Sequence, residues 1–399
     1  MQTTMRSSYT YKMVFFACFI STIGLMASDF INPSLPFIMH NLNASQNATK
    51  GMMVVYLMAL GVAQLFYGTY SDNYGRKSAI VLSFFIAIIG FILSAAAQSL
   101  LMLYCARFIT ALGTAGSPVI ARVIIADVCH EEVALKKAFS YFAMTSQLSP
   151  AIAPVLGGLI QQYSSWRVSF LVLALISLVS VIFLIKSMPE SHTIPAIKKN
   201  WREQFIVYLG YLKIRHFLIF NLLSALILVF TLGYYSLSPF VFHQLGISPA
   251  LNGVLYISYA AGLVTGAFLL SLVLHKFDSH RTFISAVFCY LVLCGAAAVF
   301  FSYQVNILTI IIFSFALSLI CGVAAPLTLT LCLQGFQENK GAASAVQGSM
   351  RMFFSGLVLL ACNFIVLDYF YQLVLIFLGI SVIMLLLYGI EILMSKKAA

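Results

Sequence analysis

Four charged side chains fall inside long apolar stretches of this sequence, where a charge is costly and points to function. They are Asp29, Arg107, Arg122 and Arg351. A carboxylate in such a stretch can bind and release a proton, and a guanidinium can bind an anionic group. Asp29 is the only acidic residue that we place well inside an apolar stretch. The residue types therefore predict proton transfer at Asp29 and anion binding by arginine.

These side chains need a framework of membrane helices, because the chain around them is too apolar for water. Of 399 residues, 62% are hydrophobic and 8% are charged, whereas soluble domains carry roughly 25% charged residues. Apolar runs of about 20 residues can cross a bilayer, and they must be helical because lipid offers the backbone no partners. The sequence predicts an all-α integral membrane protein with twelve spans. We place them at residues 12–38, 50–71, 78–97, 100–128, 134–162, 167–187, 216–243, 250–274, 282–302, 306–333, 342–366 and 369–394.

The predicted spans divide into two sets of six. We predict an N-terminal six-helix bundle at 1–187, a cytoplasmic linker at 188–215 and a C-terminal six-helix bundle at 216–399. Six spans, a linker and six more spans are typical of a transporter with internal repeats and a central cavity. The linker around Trp201 fits either a short amphipathic helix at the membrane surface or a plain solvated segment.

Positive residues are confined to one side of the predicted membrane. Of the 22 Lys and Arg residues, only Lys50 and Arg167 fall in loops on the side opposite the linker. Positively charged loops stay in the cytoplasm, so we predict that both termini and the linker are cytoplasmic. This distribution accounts for the net charge of +11 without a nucleic-acid partner. The eight Cys form no C-x-x-C and predict neither a disulfide framework nor a metal site.

A motif follows the second span: Gly68-Thr-Tyr-Ser-Asp72-Asn-Tyr-Gly75-Arg76-Lys77. Glycine permits a tight turn, and an acidic residue at a helix end can be held by a cation or by a helix N-terminus. The segment resembles the loop signature G-x-x-x-D-R-x-G-R-[RK] of the major facilitator superfamily. The resemblance implies a cytoplasmic gate that stabilises the outward-open state. Asn73 stands where the family usually has arginine, and Asp72 could instead be a simple helix cap.

Two intramembrane motifs extend the resemblance. The first span contains Asp29-Phe-Ile-Asn-Pro33-Ser-Leu-Pro36, which resembles the D-x-x-x-P-x-x-P pattern of drug:proton antiporters, above all the bicyclomycin/chloramphenicol-resistance branch. Arg107 in the fourth span begins an R-x-x-x-x-x-G motif of the family, with Ala111 where Gln is usual. The resemblance implies that Asp29 and Arg107 couple protons to transport and that Arg107 can contact substrate. The alternatives are a surface helix cap for Asp29 and a structural cation for Arg107.

The remaining candidate residues surround the predicted cavity. Arg122 and Asp127 end the fourth span, where they could form a gating ion pair or a structural surface contact. Arg351 could bind an anionic group in the cavity or a backbone carbonyl. The fifth span resembles a Pro/Gly-rich antiporter motif at Pro150, Pro154, Gly157 and Gly158. Aromatic side chains that could line the cavity, or simply pack, are Tyr234, Tyr235, Tyr256 and Tyr259.

The resemblance implies a secondary transporter in a bacterial inner membrane that works by alternating access. The expected activity is proton-coupled export of a small amphipathic molecule. Arginines outnumber carboxylates in the spans, so we expect an anionic or zwitterionic substrate. The alternatives are a proton symporter or facilitator that takes up a metabolite or siderophore, and a membrane sensor that does not transport. We expect no enzyme activity, no cofactor beyond the proton gradient, and a monomer whose partners are substrate, protons and lipid.

Overall fold

The structure is a computed structural model, and it describes residues 2–129, 131–191, 200–273, 278–334 and 340–398. Within those residues the chain is helical almost throughout, with fifteen α-helices. Their bounds are α1 Gln2–Asp29, α2 Leu35–Asn41, α3 Gln46–Tyr74, α4 Arg76–Ala95, α5 Leu100–Thr114, α6 Gly116–Val128, α7 Glu132–Tyr163, α8 Trp166–Ser187, α9 Trp201–Leu212, α10 Arg215–Gln244, α11 Pro249–Val273, α12 Ser279–Tyr303, α13 Ile307–Cys332, α14 Lys340–Cys362 and α15 Phe370–Ala398.

Twelve segments in the described part of the chain are long and apolar enough to span a membrane, which confirms the predicted all-α fold with twelve spans. The prediction of an unbroken first span was wrong. That span consists of α1 and α2 around a 3-10 turn at Asn32–Ser34, and the fourth span consists of α5 and α6 around Ala115. Helix α9 forms inside the predicted linker; residues 192–199 of that linker lie outside the described residues.

Local chemistry explains where several helices begin and end. Pro33 and Pro36 cannot donate backbone hydrogen bonds, so the helix of the first span breaks before them and restarts at α2. The hydroxyl of Ser45 accepts a hydrogen bond from the backbone N–H of Ala48 at the start of α3. Gly75 separates α3 from α4 with a φ of 92°, a left-handed conformation that side chains disfavour.

The spans place their connections at two ends of the molecule. The linker end, as we call it, holds residues 74–76, 128–129, 131–132, 187–191 and 200–215. The opposite end holds connections 41–46, 95–100, 163–166, 244–249, 303–307 and 362–370. Each span therefore runs from one end to the other, as alternating crossings of a membrane require.

Helices α1–α8 pack among themselves, as do α10–α15, and the two halves meet mainly where α7 packs on α11 and α3 on α14. Small residues allow these contacts. Ser349 of α14 donates a hydrogen bond of 2.6 Å to the carbonyl oxygen of Gly61 in α3, and Gly253 of α11 faces the backbone of Pro154 in α7. Without side chains between them, the helix backbones approach closely. The bundle boundaries at residues 187 and 216 stay a prediction.

Candidate functional site

A cavity of about 300 Å³ lies between the two halves of the protein. Its wall combines side chains of α1, α3, α6 and α7 with side chains of α10, α11, α13 and α14. The lining residues lie around the middle of each span, and those of α6 and α13 extend towards the linker end. Three charged residues are in the wall: Asp29, Arg122 and Arg351. The cavity therefore unites residues that are more than 300 positions apart in the sequence.

Asp29 is the last residue of α1 and lies in the cavity wall at the break in the first span. Its side chain is 5% exposed and accepts a hydrogen bond of 3.1 Å from the hydroxyl of Ser28. None of the ion pairs among the described side chains includes Asp29. A carboxylate that faces a cavity with neutral partners can take up and release a proton without breaking a salt bridge.

Arg107 of α5 lies one layer behind the cavity wall, next to Asp29. Its guanidinium is fully buried, stacks on the ring of Tyr56 at 4.1 Å, and donates a hydrogen bond of 3.2 Å to the carbonyl oxygen of Ala27. Tyr56 is in the cavity wall and Arg107 is not. The prediction that Arg107 lines the substrate cavity was therefore wrong for this conformation, because the Tyr56 ring stands between them. Arg107 instead fixes the end of the helix that carries Asp29.

Arg122 and Asp127 do not form the ion pair that the sequence suggested. Five residues along a helix are about 140° apart around its axis, so the two side chains leave α6 on different sides. Asp127 accepts a hydrogen bond of 2.8 Å from Nε of Arg76. Arg122 points into the cavity, where its Nε donates a hydrogen bond of 3.0 Å to the carbonyl oxygen of Pro118. Arg122 thus belongs to the cavity and Asp127 to the loop motif.

The loop motif forms a charged network at the linker end. Arg76 contacts Asp72 at 2.5 Å and Asp127 at 2.8 Å. The carboxylate of Glu190 accepts hydrogen bonds from the backbone N–H groups of Arg76 and Lys77, at 2.9 and 3.0 Å, and so caps the N-terminus of α4. Arg76, Asp72, Asp127 and Lys77 belong to the N-terminal half, and Glu190 belongs to the start of the linker. The sequence analysis missed Glu190; the signal available was an acidic residue directly after the sixth span.

The glycines of the loop motif serve two different contacts. A Cβ on Gly75 would collide with the carboxylate of Glu190, so glycine lets Glu190 reach the start of α4. Gly68 lies on the face of α3 that meets α9, with the hydroxyl of Tyr208 nearby. In α9, Trp201 stacks on Phe66 at 5.0 Å, which docks the linker helix onto α3.

Only one of the four predicted cavity tyrosines reaches the cavity. Tyr235 is in the wall, whereas Tyr234, Tyr256 and Tyr259 pack behind it as a buried aromatic cluster. The rings of Tyr235 and Tyr256 are 4.6 Å apart, and those of Tyr234 and Tyr259 are stacked at 5.0 Å. Tyr234 and Tyr235 are neighbours on α10 and cannot both face one cavity, because side chains turn by about 100° per residue.

The helix-five motif lies at the contact between the halves. Pro150 is in the cavity wall, and Gly157 lies against the carbonyl oxygen of Phe30 just after Asp29. Gly158 lies against the carbonyl oxygen of Pro249 at the start of α11. The motif therefore holds the break in the first span and brings the two halves together at the opposite end. Sequence reasoning missed Pro249 and Gly253, the partners of this contact in α11.

A second contact closes the opposite end between α3 and the connection after α14. The side-chain amide of Gln46 donates a hydrogen bond to the carbonyl oxygen of Leu367 and accepts one from its backbone N–H, both at 3.0 Å. Nζ of Lys50 donates to the carbonyl oxygen of Ile365 at 3.0 Å. The sequence analysis placed Lys50 in a loop, but it lies in the first turn of α3 and is 1% exposed. We use the term seal for the three contacts Gln46–Leu367, Lys50–Ile365 and Gly158–Pro249.

We expect the Gln46→Leu substitution to open the seal. It removes two hydrogen bonds between the halves, each worth about 0.5–1.5 kcal/mol, so the equilibrium should shift towards access at the opposite end. Cys362 is buried beside this contact and can report the change in a variant that keeps it as the only cysteine. A membrane-impermeant thiol reagent should label Cys362 about tenfold faster after the substitution.

The matched control is Gln304→Leu, at the same end of the molecule. Among the described residues, the side chain of Gln304 makes no hydrogen bond. Its backbone N–H donates one to the carbonyl oxygen of Phe300. An unchanged labelling rate in Gln46→Leu, or an equal rise in the control, would contradict the assigned role of Gln46.

Comparison with known sequences relates this architecture to one large family. The family model of the Major Facilitator Superfamily matches residues 14–359. The chain is 28% identical to Multidrug resistance protein D of Escherichia coli (strain K12) over 192 residues. This aligned segment is 48% of each chain. It is 24% identical to the Bicyclomycin resistance protein homolog of Haemophilus influenzae over 44% of this chain and 45% of that one. The matches thus span about half the length of these two relatives.

A longer match and two solved structures cover most of the chain. The uncharacterized MFS-type transporter YdgK of Bacillus subtilis (strain 168) is 24% identical over 87% of each chain. A D-xylose-proton symporter has a similar structure, with a TM-score of 0.75 and 14% identity over 94% of this chain and 97% of that one. The structure of a bacterial homologue of the human lysosomal transporter Spinster is also similar, with a TM-score of 0.65 and 16% identity. This match covers 88% of this chain and 81% of that one. These two structures show the shared fold.

Proposed function

Since this chain belongs to the Major Facilitator Superfamily, we propose that it is a secondary transporter that exports a small amphipathic molecule in exchange for protons. Its relatives confirm the predicted resemblance to the bicyclomycin-resistance branch, and it is a multi-pass membrane protein. The observation that carries the proposal is the position of Asp29. A buried carboxylate stands in the wall of a cavity around which both halves meet.

The proposed cycle moves Asp29 between the two sides of the membrane. The seal joins the two halves at the opposite end in this structure, and we propose that the cavity opens at the linker end, on the cytoplasmic side. In this state Asp29 releases its proton and substrate enters. When the halves rock about the cavity, the seal opens, substrate leaves and Asp29 takes up a proton from outside. The proton gradient supplies the energy, so no other cofactor is needed.

Arg107 supports this cycle as a positioning residue. Its guanidinium donates a hydrogen bond to the carbonyl oxygen of Ala27, two residues before Asp29. The carbonyl groups at the end of a helix have no partners within the helix, and a positive charge favours them. Arg107 therefore holds the end of α1 in place while the carboxylate exchanges its proton.

Export is favoured over uptake by the names of the relatives and by the fifth span. Both partly matching relatives are named as resistance proteins, an activity that removes a toxic molecule from the cell. Gly157 ties the fifth span to the backbone directly after Asp29, and the fifth-span motif marks exporters in the resemblance described above. The alternatives, proton-coupled uptake and sensing without transport, predict different fluxes.

A comparison of culture media tests export directly. Cells that carry the protein should accumulate at least one metabolite or added drug in the medium faster than cells without it. Cells that carry Asp29→Asn should behave like cells without the protein. If cells with the protein deplete a compound from the medium faster, uptake is favoured. If no compound changes in level between cells with and without the protein, a sensor is favoured.

A further inference from the structure

The cavity contains two arginine side chains that lack acidic partners, one from each half of the protein. Arg122 comes from α6 and Arg351 from α14, and both are in the cavity wall. Within the described residues, neither takes part in an ion pair. Among the described residues, Nε of Arg122 is the one atom of these two guanidinium groups with a hydrogen bond, and Nε of Arg351 is buried without a partner. Both side chains are partly buried, and a guanidinium that is partly removed from water keeps its charge and needs a partner.

The two guanidinium groups face the same part of the cavity. The terminal nitrogens Nη2 and Nη1 of Arg122 lie 3.4 and 3.6 Å from the point where a Cβ on Gly348 would stand. Gly348 and Arg351 are three residues apart on α14 and so share a face of the helix. Glycine at position 348 leaves the space into which Arg122 reaches across from the other half. Arg351 is close enough to repel the charge of Arg122.

An anionic group between the two arginines would remove this repulsion and supply the missing partners. Carboxylate, sulfonate and phosphonate groups all accept paired hydrogen bonds from guanidinium groups. The unpartnered amide oxygen of Gln64 lies beside Arg122 and limits the space for such a group. The linker-side part of the cavity is therefore complementary to one anionic group.

Asp29 occupies the other part of the same cavity. Its neighbour Tyr56 bonds to Thr114 at 2.9 Å, and Arg122 lies eight residues beyond Thr114, roughly 12 Å along the helix. Among the described side chains, the charged or titratable groups that face Asp29 are Arg107, Tyr56, Tyr235 and Tyr256. Of these, only Arg107 carries a formal charge, and it lies behind the cavity wall. The cavity wall thus has a carboxyl group at one end and two guanidinium groups at the other.

We propose that the substrate is dipolar, with an anionic group between Arg122 and Arg351 and a cationic or hydrogen-bond-donating group at Asp29. This assignment rests on the proposed exchange function and explains how it is coupled. A purely anionic substrate would bind better when Asp29 is protonated, and proton and substrate would then travel together. The cationic group of a dipolar substrate competes with the proton for Asp29. That competition is what exchange in opposite directions requires.

Binding of a matched series of probes to the purified protein tests the assignment. The dipolar probe is 4-[4-(aminomethyl)phenyl]butanoate, and the others are 4-phenylbutanoate, 4-phenylbutylamine and neutral 4-phenylbutanamide. We expect the dipolar probe to bind best, and its affinity should fall as the pH falls. Arg122→Gln and Arg351→Gln should each lower the affinity for this probe about ten- to a hundredfold, which is the effect expected when a hydrogen bond to a charged group is lost. Asp29→Asn should remove the pH dependence.

Control variants separate a lost binding site from a damaged protein. Arg167 contacts Asn41 and Ala97 at the opposite end, so Arg167→Gln should bind the dipolar probe normally. Without probe, Arg122→Gln and Arg351→Gln should unfold at about the same temperature as the parent, because each side chain is partly exposed and lacks an acidic partner among the described residues. Arg122→Lys, which keeps the charge, should bind more tightly than Arg122→Gln.

The proposal is overturned if the amine or the amide binds as well as the dipolar probe, if the arginine variants bind normally, or if no probe binds. Proton exchange is not needed for this assay. A protein that shows the expected binding pattern but no proton exchange would refute the proposed function and leave the dipolar site in place. A protein that exchanges protons but binds the amine best would refute only the dipolar site.

Discussion

Asp29→Asn should abolish transport driven by a proton gradient in reconstituted vesicles. The amide has almost the same shape as the carboxylate and accepts a hydrogen bond from Ser28 equally well, but it does not bind and release a proton. The measurement uses the compound whose level in the medium depends most strongly on the protein. Its gradient-driven flux should fall to that of vesicles without protein. At saturating concentration, exchange of labelled for unlabelled compound should persist, because that reaction moves no net proton.

Asp278→Asn is the matched control for this variant. Asp278 caps α12 through hydrogen bonds to the backbone N–H groups of His280 and Arg281, and asparagine is an equally good cap. It lies at the linker end, away from the cavity wall. Gradient-driven flux in Asp29→Asn that equals the flux of Asp278→Asn would remove Asp29 from the proton path.

Gly158→Val should prevent the seal from closing and slow the exchange of substrate at least about fivefold. A Cβ at this position collides with the carbonyl oxygen of Pro249 in the other half. Overpacking of this kind costs about 1–3 kcal/mol, which is about a 5- to 150-fold shift in the equilibrium between access states. The protein escapes the collision by opening at the opposite end. Cys362 should then react faster with the impermeant thiol reagent.

Gly379→Val provides the matched control, since a Cβ on Gly379 of α15 meets nothing within 4 Å. The substitution carries the same cost in helix propensity without a collision. We expect normal exchange and normal labelling of Cys362 in this variant. Normal exchange in Gly158→Val as well would mean that the contact with Pro249 does not limit the cycle.

The fold follows from the sequence because each span is specified locally. Apolar length and the positions of charged loops determine the crossings, and they predicted all twelve. The break at Asp29 was less accessible to this reasoning. Pro33 lies in the 3-10 turn and Pro36 just after it, but the sequence analysis used both only as parts of a motif. The turn also packs against α7, where Gly157 contacts Phe30.

The site could be predicted only in part, because side-chain direction and long-range contacts are not local properties. Asp29, Arg351 and Tyr235 are in the cavity wall, and their roles stay predictions. Arg122 was assigned to a gate because it is near Asp127 in sequence, although the helix turns the two apart. Arg107 was expected in the cavity because the family resemblance implies contact with substrate, but Tyr56 covers it. The bonds of Gln46 to Leu367 join positions 321 residues apart, and no sequence pattern marks them.

The direction of proton movement tests the central claim most directly. Vesicles that contain the purified protein and a pH-sensitive dye are supplied with an outward gradient of the compound identified from the medium, at equal pH on both sides. Exchange predicts that the vesicle interior becomes more acidic as the compound leaves, and that Asp29→Asn shows no such change. Alkalinisation of the interior, with protons leaving alongside the compound, would contradict the account.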